Sequence, residues 1–136
     1  MGRKPKRNSE QGAVLVEFAL VAPLVVFLIL SFAQIGVIYS IRQNTQEVLR
    51  GKARLISEAR KAELESSDYP NQVKEWVIAD LKAQRIACQD VSITESGDEE
   101  TRVYEIKAKV GFPQFIPLPI DSLTVSYRTA CDFSRR

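Results

Sequence analysis

The chain has 136 residues, with 19 basic and 17 acidic side chains, a formal charge of +2, two cysteines and no histidine. Without histidine it lacks the commonest general base and the commonest transition-metal ligand, and no metal or cofactor is expected. The basic excess sits in Arg3, Lys4, Lys6 and Arg7. The remainder is slightly acidic, which argues against a surface that tracks phosphates, and no nucleic-acid partner is expected.

Residues 1–12, MGRKPKRNSEQG, read as a short polar, basic leader containing the helix breaker Pro5. Before an apolar run this is how a cytoplasmic flank looks. The run itself, Gly12 to Tyr39, is GAVLVEFALVAPLVVFLILSFAQIGVIY, and no charge falls between Glu17 and Arg42. At about 1.5 Å per residue it is long enough for a hydrocarbon core of roughly 30 Å, and residues 13–41 are expected to span a membrane. Glu17 is the exception at its start: a carboxylate beside lipid is costly and is a functional candidate for that reason. The plainer reading of Glu17 is a side chain that snorkels to the headgroups. Pro23 is tolerated in a lipid-embedded helix better than in a soluble one, and Gly36 permits close approach of a neighbouring helix.

The helix is expected to continue as an amphipathic stretch over residues 42–64. Its apolar stripe is Ile41, Thr45, Val48, Leu49, Leu55, Ile56 and Ala59, interrupted by Gly51. Ser66-Ser67-Asp68-Tyr69-Pro70 ends it and opens a second helix, with Ser67 or Asp68 as cap and Pro70 in the first turn. That helix runs to about Ile86 with Val73, Trp76, Val77 and Leu81 on one face, and Trp76 is expected in the core.

The rest reads as strands. Val91 and Ile93 alternate with Ser92 and Thr94; after a charged turn, Tyr104, Ile106, Ala108 and Val110 alternate with Glu105, Lys107 and Lys109. Leu123, Val125, Tyr127, Cys131 and Phe133 form the apolar side of a last strand. Between these two strands lies GFPQFIPLPID, residues 111–121, whose three prolines bar it from central ladder positions. Its apolar side chains either close one end of the core or face a partner. The fold class is therefore α+β: a long amino-terminal helix, transmembrane and then amphipathic, joined to a small domain over residues 65–136 of one helix and antiparallel strands. Cys88 and Cys131 are either buried thiols or a disulfide formed in an oxidising compartment; the pairing is the expectation carried forward. With the basic leader, it puts the carboxy-terminal part outside the cytoplasm.

Gly12-Ala13-Val14-Leu15-Val16-Glu17-Phe18, after a basic leader and before an apolar helix, resembles a type IV prepilin processing site. The longer stretch Val16 to Leu24, with Gly36, Tyr39 and Ala53-Arg54, resembles TadE-like pseudopilins of the tight-adherence (Tad) pilus, and the likeness covers about the first 54 residues. Gln34 stands where such proteins usually carry a glutamate, and Gly51-Lys52 replaces an acidic residue and a glycine. The match therefore does not separate a TadE-like from a TadF-like protein.

The resemblance implies cleavage between Gly12 and Ala13 by a membrane prepilin peptidase, leaving Glu17 fifth in the mature chain. It implies a minor pilin or pseudopilin, not an enzyme, whose partners are that peptidase, other pilin subunits, the Tad assembly machinery and membrane lipid. It implies an inner-membrane, single-pass protein with a cytoplasmic amino terminus, a periplasmic or extracellular domain and incorporation into the pilus. The new amine at Ala13 and the Glu17 carboxylate would neutralise each other between staggered helices. Two rivals stand beside it: a signal-anchored periplasmic interaction domain without a pilus role, and a secreted domain cut after Ser31-Phe32-Ala33.

Overall fold

The computed structural model describes residues 7–58, 68–97 and 101–132. In chain order they form α1 (Arg7–Glu58), α2 (Tyr69–Ala83), β1 (Ala87–Gly97), β2 (Thr101–Gly111) and β3 (Ser122–Asp132). The fold is α+β, as expected. α1 is one 52-residue helix that runs through Pro23. It takes in the end of the leader, the apolar run and the amphipathic stretch as far as Glu58; the expected end at residue 64 lies outside the described residues.

β1, β2 and β3 make an antiparallel meander in the order β1-β2-β3. Strict alternation puts Tyr104, Ile106, Ala108 and Val110 of the central strand in the core, as the period-2 pattern predicts. Val91 of β1 and Val125 and Cys131 of β3 join them, with Leu123 and Tyr127 half-buried; Phe133 lies outside the described residues. The second half of α1 covers β3, and α2 covers β1.

From α1 the core takes Thr45, Val48, Leu49, Ala53 and Ile56. Leu55, expected in that stripe, is exposed, and Ala53 takes the buried place. At 3.6 residues per turn Leu55 points about 100° away from Ile56 and Ala53 only about 60°. Ala59 lies outside the described residues. From α2 the core takes Val73, Val77 and Leu81. Trp76, also expected there, is 41% exposed because it flanks that face. Its ring instead lies under the Lys52 ammonium, 6.0 Å from the centroid, and Lys52 pairs with Asp80 at 2.7 Å. These contacts tie α1 to α2.

The second helix has Pro70 in its first turn and Asp68 at the cap position, but the Asp68 side chain makes no capping hydrogen bond, because its backbone is already helical; Ser67 lies outside the described residues. It ends earlier than Ile86. The Arg85 N–H donates to the Lys82 carbonyl and the Ile86 N–H to the Leu81 carbonyl, a Schellman closure sealed by the buried pair Leu81 and Ile86. Arg85 takes the left-handed conformation, φ 59°, that glycine usually supplies there. At the β1–β2 hairpin Gly97 has φ 121°, and a Cβ there would strike the Thr101 carbonyl oxygen.

The expected bridge between Cys88 and Cys131 is absent. Cys88 pairs across the sheet with Val110 of β2, and Cys131 pairs with Arg102, eight positions along the same strand. At about 3.4 Å per residue the two sites are some 27 Å apart along the strands, against a Cα limit of about 7 Å for a disulfide. The Cys131 thiol meets the Ile56 carbonyl at 3.5 Å inside the core. Cys88, half-buried, lies 3.8 Å from the Asp90 carbonyl beside a bulge at Gln89. Burial and the neighbouring Asp90 charge push its thiol pKa up, which leaves it a poor nucleophile. Orientation across a membrane therefore loses its cysteine argument and rests on the leader alone.

Candidate assembly helix and its anchoring glutamine

The first half of α1 stands away from the domain. Its most apolar 18-residue window has mean hydropathy 2.8 and none of it is buried, so among the described residues one helix is long and apolar enough to cross a membrane. Leu15, Phe18, Leu20, Leu24 and Ile29 are each more than 60% exposed. Such a surface in water would be an aggregation site, and lipid or other helices must cover it. The Ser31 hydroxyl, the polar group in its middle, donates back to the Phe27 carbonyl at 2.8 Å and so needs no outside partner.

Gly12 and Ala13 lie within α1, not in an extended segment, and both are exposed. A Cβ on Gly12 would meet nothing within 4 Å, so the fold of this chain does not itself demand glycine there. Glu17 lies one helical turn after Ala13, exposed, and no ion pair among the described residues engages it. These three residues share one helix end, far in sequence from the domain, and Cys88 and Cys131 are not brought to it.

The loop of residues 112–121 closes onto α1. The Gln34 side chain, 2% exposed, accepts from the Phe115 N–H at 3.0 Å and the Ile116 N–H at 2.8 Å through Oε1. Its Nε2 donates to the Ile116 carbonyl at 3.3 Å. One amide thus satisfies three backbone groups of a loop 82 residues away. The Gln114 amide donates to the Ile120 carbonyl at 2.7 Å. Of the two readings of this loop, core closure and outward display, the second describes Phe115, Leu118 and Ile120, which are exposed; Phe112 and Ile116 are half-buried. In the sequence Gln34 stands out only as a departure from a family pattern, which does not reveal its role. The available signal was a lone amide inside a charge-free run, paired with an apolar loop rich in proline.

An open polar groove of about 560 Å³ runs between α1 and β3, lined by Glu47, Arg50, Arg54, Ser57, Tyr127 and Thr129. Arg54 hydrogen-bonds Glu58 at 2.8 Å, which raises the guanidinium pKa further above its ordinary value. On the opposite, polar face of the sheet Glu105 pairs with Lys107 and Arg128, both at 3.0 Å, and these contacts hold its carboxyl below the usual range.

A comparison with protein families matches residues 12–54 to the family described as TadE-like protein. No curated protein and no solved structure matches the chain. The matched segment starts at Gly12 and ends at Arg54, inside the half of α1 that packs on the sheet. Over that segment, about a third of the chain, the protein is similar to TadE-like proteins.

Proposed function

We propose that the protein is a minor pilin or pseudopilin of a Tad pilus, a substrate of a prepilin peptidase and an assembly subunit without catalytic activity of its own. The observation that carries this reading is the similarity to TadE-like proteins over a segment that opens in the exposed half of α1, with Gly12-Ala13 and Glu17, unpaired among the described residues, one turn apart. In this reading the enzyme cuts after Gly12, and α1 holds the chain in the inner membrane with the basic leader in the cytoplasm. The α+β domain then faces the periplasm or the pilus. The bare half of α1 packs against the helices of neighbouring pilin subunits, and Glu17 neutralises an Ala13 amine in that bundle. The domain offers the assembly machinery a polar surface.

Cleavage after Ala33 fits the geometry poorly. It would make Gln34 the first residue of a mature chain, at the point where its side chain must hold Phe115 and Ile116. The intact mass of the mature protein separates the readings: a start at Ala13 supports the pilin reading, whereas Met1, Gly2 or Gln34 supports a rival. Gly12→Leu should leave the leader attached, because the change touches no packed neighbour and acts only on processing. An unchanged mature start in that variant would sink the proposal.

A further inference from the structure

Resting on the reading that α1 spans a membrane, we infer that the loop of residues 112–121 is seated in the lipid on the domain side, so that Phe115, Leu118 and Ile120 contact acyl chains. The charge-free stretch of α1, Phe18 to Ile41, is about 36 Å long at about 1.5 Å per residue. A hydrocarbon core of roughly 30 Å, placed anywhere within it with Glu17 and Arg42 both outside, takes in Gln34. Glu17 has no ion-pair partner among the described residues, so an isolated subunit keeps it at the headgroups. Gln34 in turn fixes the depth of the loop, because its amide grips Phe115 and Ile116 directly. At that level the helix exposes Phe32, Ile35 and Tyr39 and the loop exposes Phe115, Leu118 and Ile120. Helix and loop make one apolar belt.

Part of the loop's backbone is suited to the edge of that medium. Non-helical chain in a bilayer is tolerated only when its polar groups are satisfied internally. Pro113, Pro117 and Pro119 have no N–H to satisfy. Gln34 takes up the donors of Phe115 and Ile116 and the Ile116 carbonyl, and Gln114 takes up the Ile120 carbonyl. The N–H groups of Gln114, Leu118 and Ile120 take no partner among the described residues, so that part of the backbone lies toward the headgroups, where water reaches it, while the apolar side chains reach the acyl chains. The one charge of the loop, Asp121, is exposed and is its last residue, next to Ser122 where β3 begins.

Full-length protein reconstituted into phosphatidylcholine vesicles tests the inference with a single tryptophan as probe. Trp76 lies beside Lys52, about 27 Å along α1 from Gln34, and reports the water-facing domain. Phe115→Trp in a Trp76→Phe background, with Ile120→Trp as a second probe, reports the loop. The expected result is loss of loop emission with lipids brominated on the acyl chain and shielding from aqueous iodide, while Trp76 in the parent shows the reverse. Loop emission quenched by iodide in protein firmly inserted into vesicles would overturn the inference and leave the spanning reading intact. Shielding from both quenchers would also overturn it, because the loop would then be covered by protein. Failure of the chain to insert at all, shown by its release at alkaline pH, would overturn both readings together.

Discussion

At the scale of single residues two polar side chains in the apolar run do opposite things. Gln34 is buried and fully engaged, and replacing it removes the acceptor of two loop N–H groups. An unsatisfied buried donor costs about 1–3 kcal/mol, so Gln34→Leu should destabilise the loop by roughly 2–3 kcal/mol. Hydrogen exchange at Phe115 and Ile116 should accelerate while exchange in β2 stays slow; unchanged protection of both amides would contradict the role assigned to Gln34. Glu17 has no ion-pair partner among the described residues, so a charge on another subunit is the partner to test. Glu17→Gln should be processed and inserted normally yet lose cross-linking to other pilin subunits in isolated membranes. Equal cross-linking, with normal piliation, would return Glu17 to a side chain that snorkels.

At the scale of elements, legibility followed the range of the interaction. β2 was readable because alternation is local: Tyr104, Ile106, Ala108 and Val110 carry their burial in their spacing. The stripe of α1 was readable in outline, but preferring the large Leu55 to the small Ala53 misjudged which side of the stripe the sheet would take. Trp76 failed for the same reason: its size suggested an anchor, while its angle around α2 puts it beside the core. The cysteines failed on register, since spacing in sequence says nothing of the strand length that separates Cys88 from Cys131. The Gln34 contact spans 82 residues and follows no period at all. Gly51 offers a test at this scale. It is exposed within α1 and a Cβ there meets nothing within 4 Å, so Gly51→Ala should stabilise the domain by about 1 kcal/mol through helix propensity alone. A rise of several degrees in melting temperature is expected, and a fall would mean that the groove between α1 and β3 is tighter than the structure shows.

At the scale of the whole molecule the two faces of the sheet respond to different conditions. The helix-covered face is mostly apolar and carries no carboxylate in its core, whereas the open face carries Glu105 between Lys107 and Arg128. Those partners lower the folded pKa of Glu105 from 4.5, so the folded chain keeps the charge further into acid than the unfolded chain does. Its stabilising contribution is therefore complete above about pH 4.5 and fades as pH falls through the lower folded value. Glu105→Gln should flatten the acid limb of a plot of melting temperature against pH by lowering the neutral plateau slightly, while the most acid values stay as in the parent. Identical acid limbs would remove Glu105 from the account.

The pairing of α1 with β3 also dictates an order of events during synthesis. The first described element packs on the last: the Cys131 thiol meets Ile56 across 75 residues, and Leu49 and Ile56 share a core with Val125. While the ribosome is still making β1 and β2, the apolar stripe of α1 has no β3 to lie on. The core cannot close on a nascent chain that stops before residue 122. Until then the apolar half of the helix needs other cover, which early insertion into the bilayer would provide, and the domain folds only as translation ends. A chain stalled after Gly111 should therefore be bound to membranes and yet open to protease throughout its meander.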